Sequence, residues 1–127
     1  MRTAVETPNA PKAVGPYSQA VKANGFLFIS GQIALDAQTG LMTATDIVGQ
    51  THQVMKNIGA ILAAEGLDFG DLIKTTIFLT DLGDFQQVNE VYGSYFQSDP
   101  PARSTVQVSA LPKGAKIEIE AVAMLRE

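Results

Sequence analysis

Between residues 46 and 110 the spacing of apolar side chains changes from the period of a helix to that of a strand and back. That change restricts the fold more than any other feature of the chain. Ile47, Thr51, Val54, Ile58 and Ile61-Leu62 fall on one helical stripe, which predicts a helix over residues 46–65, stopped by Gly66 at its C′ position. Ile73, Thr75, Ile77 and Leu79 alternate with Lys74, Thr76 and Phe78, so residues 71–80 read as a strand with these two sets on opposite faces. Asp84 and Gln87 resemble a capping pair that opens a second helix, and its stripe of Phe85, Val88, Tyr92, Tyr95 and Phe96 reads as core. The strand–helix–strand run over residues 71–110 has the length of a βαβ crossover, right-handed if its strands are parallel. Two apolar helix stripes need a sheet to cover, so periodicity alone predicts one α+β domain over residues 1–127 with a sheet and two helices.

Shorter strands occupy the two ends. Ala23-Asn24-Gly25 separates runs over residues 19–22 and 26–30, and its Asn-Gly dipeptide predicts a tight hairpin. Phe26-Leu27-Phe28-Ile29 is apolar on both faces, which points to an internal strand. It ends in Ser30-Gly31-Gln32, where the glycine serves either a β-bulge or a close approach of backbone to a ligand or another chain. Ile33-Ala34-Leu35 is read as a continuation and residues 36–40 as a loop. Residues 9–15 carry no periodicity and read as an ordered loop; Gly15-Pro16-Tyr17-Ser18 is then a turn that delivers an aromatic hydroxyl at a fixed place. In a last strand over residues 116–125, Ile117, Ile119, Ala121 and Ala123 share one face and Glu118, Glu120, Val122 and Met124 the other. The two glutamates are either an edge-guarding row or, beside an arginine-bearing strand, a source of a site carboxylate.

Composition removes several classes of function. The chain has no cysteine, so disulfide scaffolds, thiolate metal sites and cysteine nucleophiles are excluded, and a reducing, cytoplasmic setting is expected. Its only histidine, His52, falls off the helix stripe and reads as a solvated residue without a partner for a metal cluster or proton relay. The net charge is −4 and the lysines are scattered, so no basic footprint for nucleic acid is visible. No apolar run is long enough to span a membrane, and Met1-Arg2-Thr3-Ala4-Val5-Glu6 lacks the apolar region of a signal peptide. Hydrophobic residues make up 46% of 127, slightly rich for so small a domain, which suggests apolar surface buried between subunits.

Residues 100–108, Pro-Pro-Ala-Arg-Ser-Thr-Val-Gln-Val, read as a rigid entry followed by a strand. Arg103, Thr105 and Gln107 share one face; Ser104, Val106 and Val108 share the other, which is read as the core side. Arg103 would then point away from the core as a planar fork matched to a carboxylate. This stretch alone leaves an ordinary ion-paired surface arginine open as the other reading.

Five segments in order, Gly15-Pro16-Tyr17-Ser18-Gln19-Ala20, Ile29-Ser30-Gly31-Gln32, Val88-Asn89, Pro101-Ala102-Arg103-Ser104 and Lys116-Ile117-Glu118-Ile119-Glu120-Ala121, together resemble the reactive intermediate deaminase family, RidA or YjgF. The resemblance implies a mixed β-sheet with two helices packed on one face, similar to the bacillus-type chorismate mutase fold. It also implies a homotrimer with sites in the clefts between neighbours. The implied activity is cofactor-free hydrolysis of 2-iminobutanoate, 2-iminopropanoate and the tautomeric 2-aminoacrylate to 2-keto acids and ammonia. That would limit metabolite damage from intermediates released by pyridoxal-phosphate dehydratases. By the same resemblance Arg103 grips the substrate carboxylate, Tyr17 and Asn89 line the pocket, Ser30 and Gly31 face the ligand, and Glu118 is associated with the attacking water. Position 105 departs from the pattern: many members carry Cys where this chain has Thr105, whose hydroxyl and backbone carbonyl stay available to the imine N–H. The set supplies an anion anchor, a polar contact for nitrogen and an oriented water, and it needs no metal and no covalent nucleophile. The alternatives are a non-catalytic trimeric sensor of small carboxylates and an RNA-cleaving translation inhibitor.

Overall fold

Asn24 and Gly25 take left-handed backbone angles (φ 54° and 86°), the pair of positive values that a two-residue hairpin requires. In the computed structural model, which describes residues 1–126, that turn sets β2 (Ala20–Ala23) antiparallel to β3 (Phe26–Gln32). β1 (Arg2–Val5) lies outside β2, and β6 (Ile117–Met124) pairs antiparallel with β3 on its other edge. β4 (Leu72–Leu79) pairs antiparallel with β6 and parallel with β5 (Ala102–Gln107), giving the six-stranded mixed order β1-β2-β3-β6-β4-β5. The parallel pair is joined by α2 (Phe85–Gly93), as the crossover length required.

The helix α1 (Ile47–Ala64) begins after Asp46 and ends at Glu65, and Gly66 follows at φ 71° as a C′ glycine. It packs against β3, β6 and α2, so both helices cover one face of the sheet. Leu27, Val54, Ile58, Ile61, Ile77, Ile117 and Ile119 fill the layer between them, fully buried. The other face carries Phe28, Phe78, Thr76, Val106, Glu118, Glu120, Val122 and Met124. No helix covers it: Phe28 is 47% exposed and Met124 51%.

Five expectations need correction. Arg103 and Thr105 stand in register with buried Thr75 and Ile77, so they lie on the helix-covered face; Val106, 42% exposed, is on the open one. Strand periodicity sorts residues into two faces, but which face is covered depends on where the helices land. Ile73 does not share the face of Thr75, because a bulge between Leu72 and Lys74 turns it outward. The strand over β3 stops at Gln32: Asn57 of α1 donates to the carbonyls of Ile33 and Leu35 (3.2 and 2.9 Å), taking acceptors that a strand would have used. Asp84 makes no side-chain cap; Asp81 accepts from the Gly83 N–H at 2.8 Å and starts a 3₁₀ turn ahead of α2. Finally, α2 ends at Gly93, so Tyr95 and Phe96 pack from the following turn, and Phe85 is 39% exposed instead of core.

Candidate active site

Gln19 ties down the loop that leads to Tyr17. Its Oε1 accepts from Thr7 N–H at 2.7 Å and its Nε2 donates to the carbonyls of Thr7 and Pro11 at 3.1 and 2.8 Å. These bonds tie down residues 7–11, and residues 9–15 run without helix or strand as expected. Ser30 continues the tether: its N–H donates to Gln19 O at 3.0 Å and its hydroxyl to Ser18 O at 2.6 Å. Beyond it the ladder between β3 and β6 shifts register, so Gly31 sits in a bulge. A Cβ on Gly31 would lie 2.6 Å from Glu118 Oε2, so the glycine makes room for that carboxylate. Tyr17, Ser30, Gly31, Glu118, Glu120 and Lys113 line one cleft of about 480 Å³. Burial pushes the Glu118 carboxyl above its usual range, and the charge of Glu120 beside it pushes in the same direction.

Arg103 belongs to a second cluster. Its Nη1 donates to Asn89 Oδ1 at 2.8 Å, and its guanidinium carbon lies 5.3 Å from the Tyr92 ring centre and 5.5 Å from that of Phe85. The Tyr92 hydroxyl is in turn bonded to Thr75 Oγ1 at 2.6 Å, and burial raises that phenol's pKa, which keeps it neutral. No carboxylate lies within 4 Å of Arg103 among the described residues. Thr105 Oγ1, two positions along the same strand face, is buried with no hydrogen-bond partner among them.

The two clusters sit on opposite faces of the sheet. Arg103 aligns with Thr75, and Glu118 aligns with Phe78 on the other side. Within one protomer the fold therefore gathers Tyr17, Ser30, Gly31 and Glu118, and separately gathers Arg103, Asn89 and Thr105. Asn89 is the partner of Arg103 before it is a lining residue. Sequence reasoning missed Phe85 and Tyr92 as neighbours of Arg103; their spacing with Asn89 on one helix face was the available signal. His52 is exposed as expected, but its Nδ1 is bonded to Tyr95 OH at 2.7 Å. Among the described residues there is no group of three or more His, Cys, Asp or Glu arranged to hold a metal ion, and no helix long and apolar enough to cross a membrane.

A family model described as Endoribonuclease L-PSP matches residues 7–125. The chain belongs to this family. Among relatives of this L-PSP chain, the chloroplastic Reactive Intermediate Deaminase A of Arabidopsis thaliana is 54% identical, over 95% of the chain and 65% of that protein. The human 2-iminobutanoate/2-iminopropanoate deaminase is 48% identical over 98% of the chain and 90% of that protein. The crystal structure of TdcF from E. coli with bound serine superposes with a TM-score of 0.93 at 46% identity, covering 98% of this chain and 99% of that one. The resemblance to the RidA/YjgF deaminases and the mixed-sheet fold it implied are thus borne out.

Proposed function

We propose that this L-PSP family chain hydrolyses short 2-imino acids such as 2-iminobutanoate and 2-iminopropanoate to 2-keto acids and ammonia. The site would lie between copies of the chain, in a homotrimer. One observation carries this reading: Arg103 is half-buried, held by Asn89, and has no carboxylate partner among the described residues, so its remaining N–H groups are free for an anion. A guanidinium removed from bulk water and left without a counter-ion is costly unless a ligand supplies one. The bound serine of the E. coli relative supports a small α-amino carboxylate as that ligand, and the names of the human and plant relatives support imine hydrolysis.

In this reading the substrate carboxylate meets Arg103 of one protomer in a bidentate pair. The C=N carbon then faces Glu118 of a neighbour across the uncovered sheet face. Glu118, ionised, accepts a proton from water as the oxygen bonds to the imine carbon, and returns that proton to the nitrogen, regenerating the carboxylate. Collapse of the resulting amino alcohol expels ammonia and leaves the keto acid. The Gly31 N–H, the Ser30 and Tyr17 hydroxyls and the orphan Thr105 hydroxyl are the polar groups available to orient nitrogen and water. General-base assistance of this kind is worth about 10²–10⁴-fold. The family takes its description from an endoribonuclease. A net charge of −4 and a single histidine, bonded to Tyr95, favour a small-molecule substrate over RNA.

The test is an assay coupled to a pyridoxal-phosphate threonine dehydratase, the class of enzyme expected to release these imines. The wild-type chain should speed the loss of the transient imine absorbance, and Arg103→Ala should abolish that effect with the melting temperature preserved. Unchanged decay with measurable keto-acid binding would make the protein a sensor and end the deaminase reading.

A further inference from the structure

Two aromatic rings of α2 flank Arg103. Phe85 opens α2 as an exposed side chain, yet its ring faces the guanidinium 5.5 Å away while Tyr92 approaches it at 5.3 Å. Tyr92 is itself fixed from below, by the buried 2.6 Å bond to Thr75 on the neighbouring strand. Asn89 lies on the same turn of α2 and takes one N–H at 2.8 Å. An arginine on an edge strand ordinarily samples many rotamers, and that freedom must be given up when it binds a carboxylate. Two rings near the flat guanidinium and one acceptor on its rim remove that freedom in advance.

We propose that Phe85 and Tyr92 are positioning residues that fix the orientation of Arg103 so that its unbonded N–H edge is presented to the substrate carboxylate. The inference deepens the imino-acid reading and rests on it for the identity of the ligand. The clamp acts through Arg103 alone, on a group that grips substrate and transition state equally, so its loss raises KM and leaves kcat nearly unchanged. Phe85 is the informative position because its exposure makes substitution cheap for the fold.

The experiment compares wild type, Phe85→Leu, Phe85→Tyr and Tyr92→Phe for turnover of 2-iminobutanoate and for binding of 2-oxobutanoate by calorimetry. Rotation of the Arg103 guanidinium is followed by ¹⁵N NMR in the same proteins. Phe85→Leu should raise KM and weaken keto-acid binding about three- to tenfold, with kcat within about twofold of wild type and Arg103 Nη signals averaged by faster rotation. Phe85→Tyr, which keeps a ring, should restore all of these. Tyr92→Phe keeps the ring and loses the tether to Thr75, so it should fall between the two. An unchanged KM and unchanged Arg103 rotation in a Phe85→Leu protein that turns over substrate would overturn the clamp and leave the deaminase reading standing. If wild type shows no turnover, the deaminase reading fails, and the NMR comparison still decides whether the rings hold Arg103.

Discussion

Gly31 and Glu118 form the tightest fit in the cleft, and each constrains the other. Glycine is required at position 31 because the Glu118 carboxylate fills the space a Cβ would take. In Gly31→Ala the carboxylate, the flexible end of its side chain, should swing away while the strands stay paired. We expect kcat to fall at least about tenfold with a melting temperature within about 3 °C of wild type, read from the coupled assay and a thermal melt. The ionisation of Glu118 also has a direction. Its carboxyl is pushed up by burial and by Glu120, and as a base it must be ionised, so kcat/KM should decline as pH falls through that raised pKa. Glu120→Gln removes one of the two causes and should move this acid limb to lower pH; a limb that stays in place would show that Glu118 is not the titrating group. The same shift has the opposite meaning for stability. A carboxyl whose pKa is raised on folding stabilises the fold at low pH and loses that contribution as pH rises through the folded value. Glu118→Gln should therefore melt at a higher temperature than wild type near pH 8 while losing turnover.

At the scale of elements, the segment after β3 shows how a helix side chain can set the course of a chain. Asn57 is 1% exposed, and its amide holds the carbonyls of Ile33 and Leu35 while its Oδ1 accepts from Gln53 at 2.9 Å. Two cleft-lining residues are thereby tied to α1. Asn57→Ala would strand two acceptors in a buried place, and we expect a loss of about 2–4 kcal/mol in urea unfolding. Asn57→Asp keeps only acceptors and should be no better. The strand pair β4–β5 plays a comparable part for Arg103: parallel register with Thr75 puts the arginine under α2, where Asn89, Phe85 and Tyr92 reach it.

For the molecule as a whole, the open sheet face is the dominant fact. Phe28, Val106 and Met124 are all exposed on it, large apolar side chains of the kind that association would bury. The proposed site needs one protomer's Arg103 and another's Glu118 together, which no single chain achieves. Light scattering should give three times the chain mass, and Phe28→Lys should reduce both mass and turnover. Complementation is the sharper measurement. Arg103→Ala and Glu118→Gln, each inactive alone, should recover about a quarter of wild-type activity when co-expressed, since random assortment pairs the intact halves at that frequency. No recovery from a mixed assembly would mean that Arg103 and Glu118 do not act on one ligand.

Most elements were legible in the sequence, although the edge strand β1 was not. Helix α1, the Asn24-Gly25 hairpin and the β4–α2–β5 crossover follow from local rules, because period and turn chemistry are written within a few residues of where they act. The candidate residues were singled out by the resemblance of five short segments to the RidA family, since residue type alone left each of them an ordinary structural reading. What the sequence did not contain was sidedness. Whether Arg103 or Val106 faces the helices, whether Ile73 points in or out, and whether Ile33 continues a strand were decided by contacts between segments far apart in the chain. Alternation fixes which side chains share a face; packing against α1 and α2 fixes which face is covered, and the register of β5 and β6 on β4 puts Arg103 and Glu118 on opposite faces.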